Sequence, residues 1–176
     1  TRKSSAYGRQ VSEEIIKDLV SCNMTIVSGL ALGIDGISHE ATLKEQGKTI
    51  AVLGCAVDKN TIYPAVHSQL AEKIIESGGA LISEYPPYTK STVYSFPRRN
   101  RIIAGMTLGT LVIEAQASSG SLITAQCALE YNREVFAIPQ NIYASSAAGP
   151  NNLIKMGAHP VTESEDILNI FNLQKP

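Results

Sequence analysis

Arg98, Arg99 and Arg101 put three guanidinium groups into four positions, with Asn100 between them. That density suits anion binding, because the planar fork of arginine engages a phosphate through two parallel N–H donors. The run continues directly into Ile102, Ile103 and Ala104, so its cations are anchored to apolar sequence. No acidic residue lies between Glu84 and Glu114, whereas Lys90 and all three arginines fall in that interval. A helix start favours acidic residues, and arginines placed there oppose its dipole unless an anion compensates.

Two glycine turns add a second kind of anion site. "SGLALGID" carries Ser28, Gly29 and Gly33, and "EAQASSGSLITA" carries Ser119, Gly120 and Ser121, with Thr124 beyond. Each follows an apolar run and leads into a helical pattern, where exposed N–H groups cradle phosphate. Taken singly, each is equally a tight strand-to-helix turn; as neighbours they support one another. Neither is the G-x-G-x-x-G fingerprint, so no dinucleotide cofactor is expected. Asp35 and His39, four apart, have the spacing of a metal or acid/base pair, but no third ligand has suitable spacing. A capping or hydrogen-bonding role is the better reading there, and no metal is expected. Glu84 and Glu114 each follow an apolar run and read either as a hydrolytic carboxylate pair or as loop-orienting acceptors. Tyr63, Tyr85, Tyr88, Tyr94 and Phe96 are expected around the rim that follows the run at 80–85; such residues are usually core, yet aromatics beside cations suit base stacking.

The elements that must position these residues alternate. Strand-like runs at 24–29, 48–54, 80–85, 109–115 and 134–139 are separated by helical patterns at 7–22, 34–46, 64–77 and 120–132. Pro64 suits a first helical turn, and Ser164 before Glu165 and Asp166 predicts a capped terminal helix. Continuously apolar strands alternating with helices imply an α/β doubly wound, mostly parallel sheet of the extended Rossmann type. In such sheets ligands bind beyond the carboxyl ends of the strands, which is where the turns and the arginine run fall. The long connections 86–96 and 140–149 are expected to be functional.

Composition sets outer limits. The length of 176 residues fits a single domain, 1–176, and a net charge of −1 means that any polyanion must be met by a local patch. Cys22, Cys55 and Cys127 are odd in number and widely spaced, which argues for reduced thiols and a cytoplasmic setting. No apolar run approaches a membrane span, and "TRKSSAYG" does not read as a signal peptide.

In order, "TRKSSAYG", "VSGLALGIDGISHEATL", "TIAVLGCAVDKNTIYP", "LISEYPP", "FPRRNRIIAG", "VIEAQASSGSLITAQCALEYNREVFAIP" and "NNLIKMGA" resemble the bacterial DNA-processing family DprA, also called Smf. The resemblance implies an extended Rossmann domain that binds single-stranded DNA, forms homodimers, and helps load the recombinase RecA onto incoming DNA in natural transformation while protecting the strand. It implies no enzymatic activity and no cofactor. Relatives carry a valine-glycine pair ahead of the "TR" seen here, completing a first strand, so the first strand is expected to be truncated. Arg2 matches the arginine of the family's opening motif, with Lys3 beside it. Arg98, Arg99, Asn100 and Arg101 match the F-P-x-R-N-R-I-I-A-G motif. Ala65 stands where many relatives have lysine, so that contact is either lost or supplied by Lys59; Lys90 lies where relatives often have a basic residue. The family's dimer contact maps to Leu153, Ile154, Met156 and Pro160. The competing reading is a nucleotide-binding or N-glycoside-hydrolysing Rossmann-like enzyme, whose P-G-G-x-G-T-x-x-E signature is absent here.

Overall fold

A computed structural model describes residues 4–175 of the chain. Helix α1 (Ala6–Ser21) comes first, and strand β1 (Ile26–Ser28), α2 (Ile34–Lys44) and β2 (Thr49–Val52) follow. A short 3-10 turn (Ala65–His67) leads into α3 (Ser68–Glu76) and β3 (Ala80–Ile82). The second half contains α4 (Ser95–Met106), β4 (Gly109–Val112), α5 (Gly120–Glu130), β5 (Glu134–Ala137), α6 (Ala148–Lys155), β6 (His159–Pro160) and α7 (Glu165–Ile170). Every strand pairing is parallel.

The expected single sheet is instead two sheets of three strands, ordered β1-β2-β3 and β4-β5-β6. β1 and β4 are edge strands of their sheets and do not pair with each other. A cleft of about 800 Å³ lies between them, lined by β1 residues such as Ile26 and Val27 and by Thr110, Leu111 and Val112 of β4.

Alternation along the strands explains the layering. In β5, Phe136 points to one side, packing with Ile15 and Leu19 of α1, while Val135 and Ala137 point to the other. That second side is built from small residues: Ala104 of α4, Ala125 and Ala128 of α5, and Ala115. Short side chains let helices lie close to a sheet, and Gly149 shows the limit: a Cβ there would sit 2.5 Å from the Ala115 Cβ. A third cluster, Leu30, Ala51, Leu53, Ile62, Leu70 and Ile74, packs α3 on the first sheet.

Two local expectations are corrected. Pro64 precedes a 3-10 turn, and α3 begins only at Ser68. Ser164 does not cap α7: its hydroxyl donates to the Asp18 carboxylate at 2.6 Å, and Asp166 reaches back to the amides of Thr162 and Glu163 at 2.8 and 3.2 Å. A carboxylate accepts two amides more strongly than a hydroxyl accepts one.

Candidate functional site

The carboxyl ends of β1 and β2 converge on one arginine, and it is not an exposed one. Arg99 is 4% exposed. One Nη1 donates to the Gly29 carbonyl at 2.8 Å and also to the Val52 carbonyl, fastening the ends of β1 and β2. Its Nε donates to Asn100 Oδ1 at 3.1 Å, and Asn100 Nδ2 donates to the Gly120 carbonyl at 3.1 Å. Arg99 thus ties the first sheet to α4, and Asn100 ties α4 to the start of α5. Burial pushes the Arg99 guanidinium below its ordinary pKa, and the Asp35 charge opposes that.

Asp35 organises the first glycine turn. Its Oδ2 accepts the amides of Gly29 at 3.1 Å and Ala31 at 3.3 Å. A Cβ at Gly29 would lie 2.5 Å from Arg99 Nη2 and 2.7 Å from Asp35 Oδ2, so only glycine lets the three groups meet. Gly33, at φ 81°, starts α2 from a conformation that L side chains rarely adopt. Ser28 is half-buried at the end of β1.

The second turn is more open. Ser119 Oγ caps α5 by accepting the Ser121 amide at 3.4 Å and lies 2.8 Å from Ser121 Oγ. Gly120 is exposed, and a Cβ added there would meet nothing within 4 Å. No internal packing requires glycine at this position.

The remaining cations divide by partner. Arg101 is paired with Glu84, both partly exposed. Lys59 is paired with Glu72 at 2.5 Å, which raises its pKa. Arg98 and Lys90 are exposed and have no acidic residue in ion-pairing range among the described residues. Arg2 and Lys3 lie outside the described residues. Phe96 packs against Tyr63 with ring centroids 5.6 Å apart, while Tyr88 and Tyr94 project into solvent.

The acidic candidates have structural partners. Glu114 is buried and accepts the backbone amide of Ser5 at 3.1 Å and the Ser5 hydroxyl, fixing the start of α1 to the end of β4. His39 is fully buried, and its Nδ1 lies 2.7 Å from Thr49 Oγ1. Since Thr49 Oγ1 donates to the Ile26 carbonyl at 2.8 Å, it accepts from His39 Nδ1–H, leaving Nε2 deprotonated. No group of three or more His, Cys, Asp or Glu suited to a metal occurs among the described residues.

Of the residues assigned to dimer contact, Leu153 lies in the core and Ile154 packs against it. Met156, 74% exposed, and Pro160 on the outer edge strand β6 are at the surface. The capping or hydrogen-bonding role expected for Asp35 is the one it plays, whereas the part of Thr92 in starting α4 was not singled out by sequence reasoning.

The profile of the family described as DNA recombination-mediator protein A matches residues 1–172. The chain belongs to this family. Protein Smf of Escherichia coli (strain K12) is 50% identical over 174 residues, covering 99% of this chain and 46% of that protein. The X-ray structure of DprA from Streptococcus pneumoniae superposes with a TM-score of 0.88 at 42% identity, covering 96% of this chain and 58% of that one. A DprA structure from Helicobacter pylori, described as giving insight into a single-stranded DNA binding mode, matches with a TM-score of 0.86 at 29% identity, covering 98% of this chain and 77% of that one. The chain spans about half the length of the curated DprA and Smf proteins it matches. The Rossmann-like α/β fold expected from strand and helix alternation is therefore that of DprA structures.

Proposed function

We propose that this chain binds single-stranded DNA on the rim formed by the carboxyl ends of β1, β2 and β4, without catalysing a reaction on it. The observation that carries the reading is the pairing of an unpartnered, exposed Arg98 with an open glycine turn at Gly120 on the same rim-forming helix pair. Arg98, Lys90 and, once freed from Glu84, Arg101 supply charge for phosphates. The backbone around Gly33 and Gly120 supplies neutral donors at the two helix starts, the Gly29 and Ser121 amides being held by Asp35 and Ser119. Arg99 and Asn100 act by holding the turns in place, since their donors are spent on carbonyls. By the family resemblance Arg2 and Lys3 would add cationic contacts, and Lys59 would do so only on leaving Glu72. The non-enzymatic reading is supported by the structural duty of Glu114, whose carboxylate holds Ser5 at the start of α1.

In the whole protein this domain would act in the cytoplasm as a homodimer, joined near Met156 and Pro160 with Leu153 and Ile154 beneath. It would shield incoming single strands and assist loading of RecA during transformation or recombination. No helix of the described residues is long and apolar enough to cross a membrane. Titration of single- and double-stranded oligonucleotides at two salt concentrations tests the reading. Single strands should bind more tightly, with affinity falling as salt rises, and Arg98→Ala should weaken binding on every sequence and lower the salt slope by about one. Equal binding by wild type and Arg98→Ala would remove the rim assignment.

A further inference from the structure

Helix α4 has an outward face as well as the inward one that carries Arg99. Thr92 and Ser95 bond reciprocally, Thr92 N to Ser95 Oγ at 3.0 Å and Ser95 N to Thr92 Oγ1 at 3.3 Å, so the chain is already winding before Ser95. Tyr94 consequently has helical angles, φ −85° and ψ −23°, and its carbonyl accepts the Arg98 amide at 3.4 Å. Tyr94, Arg98 and Arg101 stand at i, i+4 and i+7, one line along the helix. Ser95, Arg99 and Ile103, on the other side, are buried.

Tyr94 is 82% exposed. Its hydroxyl makes no hydrogen bond and its ring no aromatic contact among the described residues. An aromatic ring this exposed adds little to folding, yet the helix start sets its Cα one turn from an unpaired guanidinium. We propose that Tyr94 is a stacking platform for one unpaired base, on a single strand that runs along α4 with its phosphates on Arg98 and Arg101. The rise of a helix places Arg98 about 6 Å beyond Tyr94 and Arg101 about 4.5 Å further, within reach of consecutive backbone units of one strand. Charge complementarity selects a polyanion, and an open π-face selects one whose bases are not already stacked in a duplex. The inference rests on the single-strand reading of the rim and adds a residue and a direction of travel to it.

The experiment compares wild type, Tyr94→Ala, Tyr94→Phe and Arg98→Ala on a thymidine oligonucleotide and on an abasic sugar-phosphate chain of equal length. Tyr94→Ala should lose roughly five- to a hundredfold in affinity for the thymidine strand and nothing on the abasic chain. Tyr94→Phe should bind both as wild type does. Arg98→Ala should weaken both. If Tyr94→Ala binds the thymidine strand as wild type does, or loses equally on both ligands, the stacking role is overturned while the rim reading stands. If wild type binds neither ligand, the rim reading itself fails.

Discussion

Two adjacent arginines in one motif have opposite physical fates. Arg98 is solvated and unpaired; Arg99 is buried against the carbonyls of Gly29 and Val52. Replacing Arg99 by Met removes the donor but leaves those carbonyls and Asp35 in place. We expect a loss of about 3 kcal/mol, or roughly 6–12 °C in Tm, by thermal unfolding. Arg98→Ala should leave Tm within about 1 °C and act only on binding. His39 makes a separate prediction in pH. Burial, with His67 and Arg99 adding and Asp35 opposing, lowers its pKa from 6.5 to about 4. Between those values the unfolded chain takes up a proton that the folded chain refuses, so stability falls as pH is lowered through that window. The slope approaches about 1.4 kcal/mol per pH unit at most, and above pH 6.5 this group contributes no slope. Urea unfolding of wild type and His39→Gln across that range checks it: the variant should lack this component.

At the scale of elements, the two glycine turns should respond oppositely to alanine. Gly29→Ala forces a Cβ to within 2.5 Å of Arg99 and should destabilise the domain measurably in a melt. Gly120→Ala meets open space at a helix start, so stability should hold or rise by up to about 1 kcal/mol. Oligonucleotide affinity should nevertheless fall, because the added methyl occupies the phosphate approach. The order of these elements was legible in the sequence, since apolar strands ending in glycine and helices with apolar periodicity depend on local pattern alone. The rim location of the turns followed from that order. Which arginine is buried was not legible: Arg98 and Arg99 differ only in which side of α4 they occupy, and that side is set by where Thr92 and Ser95 start the helix. Ser164 was misread for a similar reason, since the tertiary partner Asp18 lies far away in sequence and captures its hydroxyl.

At the scale of the molecule, the two sheets are joined by helices packed across them, with Ile26 of β1 and Leu111 of β4 on one core cluster, not through strand pairing. Ser5, pinned to Glu114 just beyond β4, brings the start of the described chain to the carboxyl end of the cleft. The cleft also has a consequence for backbone amides. Ile26 N donates to Lys48 O on the β2 side, so the alternate Val27 N–H faces the cleft. Ile138 N donates to Val112 O on the β5 side, so the Leu111 N–H faces the cleft as well. Those two amides should exchange with deuterium quickly, while amides of β2 and β5, paired on both sides, exchange slowly. Fast exchange is then expected along the cleft between the two sheets as well as in the exposed connections at the margins.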